Sequence, residues 1–225
     1  MNYIFVDFEM ERIDKIHKTA RKISRMEIIE IGAVMLNSDF EEISSFKRYV
    51  KPSYSEHISN MITDLTGISD ATLLGKKDIR EELLNFSEWC LSEGENFCVY
   101  AWSENDLAQV ISEMKLKNIT KTPSLTKVID NWKDLQLEFD KSLLKDYHTS
   151  LSNALDALGM VFEGHMHDAL DDAHNTGRVY KAMATSDDYK EEVNIIKSYL
   201  YDENRKSGAT LGDLLDFSIF NFDFS

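Results

Sequence analysis

The chain opens on Tyr3-Ile4-Phe5-Val6, apolar at every position and rich in β-formers, the pattern of a strand buried on both faces. The segments at 27–36 (EIIEIGAVML) and 43–50 predict two more strands, and three in succession predict an antiparallel start. From Ser53 to about Leu91 the pattern turns helical, broken at Gly67 and Gly75. Phe97 to Trp102 predicts a fourth buried strand leading into a helix from Glu104 to about Lys115, and Lys127 to Ile129 predicts a short fifth strand. The rest reads as helical, with Leu151 to Leu158 stopping at Gly159, then residues 168–184, then about 188–201. A polar linker around Asn204 to Gly208 precedes an end, FSIFNFDFS, in which Phe220, Phe222 and Phe224 alternate with Asn221, Asp223 and Ser225 like a strand with one apolar face. Strands first, then helices and strands interleaved, predict an α/β fold with a mixed five-stranded sheet flanked by helices.

Against this background certain acids are out of place. Asp7 and Glu9 directly follow the buried strand and, two residues apart, share one face at the carboxyl end of a central strand, where open α/β sheets put their sites. Two like charges about 6 to 7 Å apart along a strand repel unless a cation lies between them. In the 168–184 helix, Asp171, Asn175, Arg178 and Ala182 form a mostly polar stripe expected to face solvent, whereas Asp172 aligns with Thr176, Val179 and Met183 and faces inward. His167, five residues before Asp172, cannot share its face on a continuous helix and belongs in the Gly164-His165-Met166-His167 loop, leaning over the site. Each residue also has a plainer reading. Asp106 stands at the end of Ser103-Glu104-Asn105-Asp106, a capping-box spacing, so it could hold the helix start. His167 could be a satisfied core histidine, and Trp102 a core residue or a base-stacking platform. A zinc site from His165, His167 and Asp168 lacks a fourth ligand at usable spacing.

The Asp7-Phe8-Glu9 strand, the Asp106 segment and the His167-x4-Asp172 segment resemble the three motifs of the DEDDh 3′-to-5′ exonuclease superfamily, whose fold is ribonuclease-H-like. The stretch LSNALDALGMVFEGHMHDALDDAHNTGRVYKAM is similar to the third-motif region of the histone-mRNA and RNA-interference exonucleases and of the KapD-like bacterial proteins. The resemblance runs from about Met1 to Ala184, through IIEIGAVML and the ITDLTGIS turn at 62–69. It departs at Met10, where many members have a small or hydroxyl residue, and at the basic stretch that follows; Asp-Phe-Glu-Met also resembles the oligoribonuclease branch.

What the resemblance implies is a domain over 1–185 in which Asp7, Glu9, Asp106 and Asp172 hold two Mg²⁺ or Mn²⁺ ions and His167 is the general base. It implies release of nucleoside 5′-monophosphates from the 3′ end of single-stranded or 3′-overhang nucleic acid, RNA being favoured. A DNA-directed exonuclease is the alternative, followed by a catalytically silent nuclease-derived binding protein. Residues 186–225 are expected to be an extension packed on the domain or on a second subunit, in a monomer or homodimer. Candidate substrate contacts are Phe8, Met10, Lys18, Arg21, Lys22 and Trp102.

Composition tests this picture at one point. At 225 residues and 43% hydrophobic positions, a single domain with a sizeable core is expected. With no apolar run of about 18 residues and no framework spacing of Cys90 and Cys98, a reducing cytoplasmic setting is expected. The formal net charge of −15 runs against a nucleic-acid partner, since phosphate-binding surfaces are normally basic. Lys15, Lys18, Arg21, Lys22 and Arg25, however, fall in one stretch without an acid, either a solvated face or a guide for a short length of substrate.

Overall fold

The computed structural model describes residues 1–143, 148–191, 193 and 194. Its centre is a five-stranded sheet in the order β3-β2-β1-β4-β5. The strands β1 (Asn2–Arg12), β2 (Met26–Leu36) and β3 (Glu42–Tyr49) form an antiparallel meander, and β4 (Phe97–Ala101) and β5 (Trp132–Asp134) add in parallel on the other side of β1. This is the mixed α/β architecture that the hydrophobic pattern predicts.

Strand β1 is apolar from Tyr3 to Val6 because both of its faces are covered. Ile4, Val6 and Phe8 enter one core, with Leu83 and Phe86 of α3 (Ile79–Cys90), Val110 and Met114 of α4 (Glu104–Leu116), and Leu125 and Val128 of α5 (Pro123–Asp130). Phe5 enters the opposite core, with Phe139 of α6 (Leu135–Ser142), Leu155 of α7 (Leu151–Ala157) and Val179 of α8 (Ala169–Thr185). Asp7 and Glu9 continue the Phe5 face by simple alternation, so they emerge beneath α8. The two short helices α1 (Asn60–Thr66) and α2 (Asp70–Leu73) cover a third cluster around Ile29, Ile62 and Ile68. Ile29 reaches it because a β-bulge follows Glu9: Glu9 pairs with Glu30 but Met10 with Ile28, leaving Ile29 as the extra residue.

Two expectations change. Residues 127–129 are helical, inside α5, and the fifth strand is Trp132–Asp134. The Lys-Val-Ile run suggests a strand, but Thr122 caps the segment through Leu125 N (3.1 Å), Pro123 occupies its first turn, and Leu125 and Val128 bury at helical spacing. The polar stripe of α8 is not solvated, as shown below. Of the expected C-terminal helix, residues 187–191, 193 and 194 are helical; the part after residue 194, the Asn204 to Gly208 linker and the aromatic end lie outside the described residues. Among the described residues no helix is long and apolar enough to cross a membrane.

One position controls how α8 meets the sheet. Gly32 pairs with Asp7 on one side and Lys47 on the other, and a Cβ built on it would lie 2.1 Å from the Ala169 carbonyl carbon and 2.1 Å from Leu170 N. The start of α8 thus rests directly on β2 backbone, a contact that only glycine permits. Gly32→Ala is expected to lose about 3 kcal/mol or more in urea denaturation, because backbone rather than a flexible side chain must move. A variant as stable as wild type would show that α8 can be lifted without loss.

Candidate active site

The strand end supplies Asp7, half-buried, and Glu9, buried. Asp106 comes from the first turn of α4, just beyond the carboxyl end of β4. The cap of α4 is Ser103, whose hydroxyl accepts from Asn105 N (3.3 Å); Asp106 is buried instead, beside the backbone N–H of Phe8. The third segment begins with Asp168, the N-cap of α8, accepting from Leu170 N (3.1 Å) and Asp171 N (3.4 Å). Asp172 lies one turn in, and its Oδ2 accepts from the backbone N–H of His167 at 2.8 Å. His167 therefore sits just before the helix, in the left-handed region with φ 66°.

The loop carrying His167 is laid along α8 on the residues expected to face water. Asn175 is fully buried; its amide donates to Glu163 O and Asp171 O, both at 2.8 Å, and accepts from Glu163 N at 3.1 Å. Arg178 donates to Val161 O (2.8 Å) and pairs with the Glu163 carboxylate (2.9 Å), while Asp171 accepts from His165 N (2.8 Å). Asp171, Asn175 and Arg178 are thus the seat of the loop. Loop backbone provides the hydrogen bonds that water would otherwise supply.

These contacts bring Glu9, His167 and Asp172 together, with one potential ligand atom from each within 4.8 Å of the others. Asp7 and Asp106 join the same electrostatic cluster. Burial, reinforced by Asp106, Asp172 and Glu9, holds the Asp7 carboxyl well above its ordinary range. Burial and then Asp172 push Glu9 up to about 8; burial pushes Asp106 to about 7 and Asp172 to about 6, the backbone N–H groups near each pulling the other way. Carboxylates that resist ionisation next to one another are a donor set that gains from a hard divalent cation, and oxygen donors with a single imidazole suit Mg²⁺ or Mn²⁺.

The other candidate contacts divide. Phe8 is in the core against Trp132, and Trp102 is 8% exposed with its Nε1 donating to Thr149 O (3.1 Å). Neither ring offers a face for stacking on a base, a correction to the sequence reading whose cause is strand alternation for Phe8 and the α6–α7 core for Trp102. Met10 is half-buried at the edge of the first core. Lys18 and Lys22 are exposed and Arg21 half-buried, on a connector anchored by Ile13 and Ala20 against Leu116 of α4. That anchor is ten residues along α4 from Asp106, roughly 15 Å at the helical rise. Among the described residues, none of the five cations of this stretch forms an ion pair. Nearer the carboxylates, a cleft of about 460 Å³ lies between Leu65-Thr66-Gly67 and the segment Gly164 to Asp168.

Residues 4–180 match the exonuclease family RNase_T. The chain belongs to that family. The 3′-5′ exonuclease Snipper of Drosophila melanogaster is 26% identical over 197 residues, covering 80% of this chain and 68% of that protein. ERI1 exoribonuclease 2 of Homo sapiens is 30% identical over 171 residues, 67% of this chain, and the chain spans only 24% of that relative's length. The crystal structure of the nuclease domain of 3′hExo, a DEDDh family member bound to rAMP, superposes with a TM-score of 0.69 at 22% identity over 83% of this chain and 92% of that one. The family match and the curated relatives place the chain among the 3′-to-5′ exonuclease hydrolases, and its fold is that of the 3′hExo nuclease domain.

Several residues that build the site were not singled out by sequence reasoning. Glu30 and Gly32 interrupt an apolar strand, which is a signal for a buried role and for close backbone approach. Lys47, which bridges Glu30 and Asp168, has no local signal at all.

The raised carboxyl pKa values give a signed expectation. A group whose folded-state value is raised contributes fully below its unfolded value, near pH 4, and loses that contribution as pH rises through the folded values of about 6, 7 and 8. In chelator, the melting temperature is therefore expected to fall from about pH 5.5 to about pH 8.5, with a shallower fall in Asp172→Asn. A metal-free protein that becomes more stable over this interval would contradict the assigned cluster.

Proposed function

We propose that this chain is a metal-dependent exonuclease that removes nucleoside 5′-monophosphates from the 3′ end of RNA. The observation that carries the reading is the convergence of Glu9, His167 and Asp172 within 4.8 Å at the strand end that also bears Asp7. The relatives described as exoribonucleases support RNA as the substrate class. In this reading residues 1–185 are the catalytic domain and 186–225 an extension.

Asp7, Glu9, Asp106 and Asp172 would hold two Mg²⁺ or Mn²⁺ ions. Bound there, divalent ions supply charge neutralisation at the phosphate and a lowered pKa for the attacking water. The imidazole of His167 takes the proton from that water, a task suited to a group whose ordinary pKa is about 6.5. The water oxygen bonds to phosphorus as the phosphorus–O3′ bond breaks, and a proton from solvent completes the 3′-hydroxyl on the shortened strand, with the phosphate left on the released 5′-monophosphate. Asp172 has a second duty, because its hydrogen bond to His167 N fixes the backbone from which the imidazole projects. Lys18, Arg21 and Lys22 contact phosphates upstream of the scissile bond, which suits a short footprint on the strand.

The direct test is 5′-end-labelled RNA and DNA oligonucleotides incubated with Mn²⁺, with chelator as control. Stepwise shortening of RNA from the 3′ end with mononucleotide release is expected; faster hydrolysis of DNA would replace RNA as the substrate class. Asp7→Ala and Asp172→Ala should abolish turnover while leaving metal-free melting unchanged or raised. His167→Ala should slow hydrolysis by about 10² to 10⁴ with Mn²⁺ affinity little changed; loss of Mn²⁺ binding instead would make His167 a ligand. For binding, three to five phosphate contacts give a slope of log affinity against log salt of about −2 to −4, at roughly −0.7 per contact on single strands. Affinity that keeps climbing beyond about ten nucleotides would refute the short footprint.

A further inference from the structure

Three consecutive residues at the start of α8 are each held from the β2–β3 side of the sheet. Asp168 is paired with the Lys47 ammonium, Ala169 N donates to Glu30 Oε2 (3.2 Å), and Leu170 N rests against Gly32. Lys47 Nζ also lies 3.2 Å from Glu30 Oε1, so one ammonium joins a buried acid of β2 to the cap of α8. Its side chain passes near the Tyr49 ring, with Nζ 5.9 Å from the centroid, and Gly32 is its partner across the ladder. Without that ammonium, the carboxylates of Glu30 and Asp168 would face each other uncompensated beside Glu9, whose own carboxyl both already disfavour ionising.

Position follows from this arrangement. His167 precedes the clamped cap by one residue and Asp172 follows it by one turn, so the axial placement of Asp168 sets both. We infer that Lys47 is a positioning residue for the nuclease reaction: by tying Asp168 to Glu30 it fixes the start of α8, and with it the His167 imidazole and Asp172 together relative to Glu9. Lys47 touches no reacting atom, and its effect passes through the α8 cap. The inference rests on the exonuclease reading and on the role of His167 within it.

A second consequence separates positioning from a general loss of structure. Lys47 is a positive charge beside an acidic centre, so its removal leaves attraction for a divalent cation equal or stronger while the base is misplaced. A residue that merely held the site together would lose metal affinity and rate in step.

The experiment compares wild type, Lys47→Met, Lys47→Arg and Asp168→Asn for kcat and KM on an RNA oligonucleotide, Mn²⁺ affinity by calorimetry, and melting in chelator. For Lys47→Met, kcat should fall about 10- to 100-fold, the range typical of residues that orient a metal site's first ligands. KM should stay within about threefold and Mn²⁺ should bind as tightly as in wild type or more so. Lys47→Arg keeps the ion pair and should recover most of kcat. Asp168→Asn preserves the helix cap, since asparagine caps as well as aspartate, but removes the partner charge. It should slow kcat in the same way, and the double variant Lys47→Met/Asp168→Asn should be no slower than the slower single. Wild-type kcat in Lys47→Met, a parallel loss of Mn²⁺ affinity and rate, or additive effects in the double variant would overturn the inference. Should Lys47→Met fail to fold, Asp168→Asn decides alone: a slowed kcat at unchanged melting supports the tie, and a normal kcat refutes it. An inactive wild type would refute the exonuclease reading itself, a different result from an active wild type matched by an active Lys47→Met.

Discussion

The approach of α8 onto β2 at Gly32 is the contact on which the catalytic geometry depends. Carboxylates on a strand and carboxylates on a helix can share a site only if the two backbones come closer than side chains normally allow. Gly32 removes the obstructing Cβ at the residue that pairs with Asp7, so the helix start lies directly across the strand bearing the first two acids. Farther along α8, Gly177 repeats the device more mildly, since a Cβ there would lie 3.0 Å from the Phe5 ring. Two glycines, one on the strand and one on the helix, thus set the layer spacing, and the apolar contacts of Phe5 and Val179 maintain it.

This closeness has an electrostatic cost that the surrounding residues divide among themselves. Beyond burial, Asp106 and Asp172 raise the pKa values of both Asp7 and Glu9, and Glu30 adds a further buried acid beside Glu9. Lys47 offsets two of the acids on the β3 side. On the far side of the sheet end, Lys117 answers the buried Glu27 and Glu113 at 2.8 and 2.7 Å, and Glu27 also accepts from Ser53 N and Tyr54 N, tying down the segment that leads to α1. The peripheral acids are therefore neutralised by protein cations, whereas Glu9, Asp106 and Asp172 pair with none among the described residues. A repulsive centre inside a neutralised rim is the charge pattern of a cation site, and it accounts for part of the large negative net charge without assigning it to the surface.

How far the sequence discloses this depends on whether the signal is local. Asp7 and Glu9 were legible because acids directly after a fully apolar strand need a reason. His167 was placed before the helix by angular arithmetic alone, and the structure puts it there. Asp106 was ambiguous because a cap and a site acid use the same residue at the same helix turn; only burial and the nearby Phe8 amide separate the two. The stripe Asp171-Asn175-Arg178 was misread because polarity along a helix does not say whether water or a loop meets it. Lys47 was invisible for a related reason. Its partner Asp168 is 121 residues away, and nothing in an exposed-looking β3 pattern marks one lysine among its neighbours.

The loop before α8 shows how a strained residue is kept useful. A left-handed conformation at a non-glycine residue costs about 1 to 2 kcal/mol, so His167 at φ 66° would relax if its loop were free. Three side chains of α8 prevent this by holding loop N–H groups: Asp172 holds His167, Asp171 holds His165, and Asn175 holds Glu163. Gly164 must be glycine for the loop to lie this low, since a Cβ there would meet the Asp171 carboxylate at 2.3 Å and its φ is 85°. The direction of the imidazole is consequently set by backbone hydrogen bonds to the same helix that carries Asp172. Asp172 and His167 are thereby referred to one rigid element, and any shift of α8 moves both without changing the relation between them.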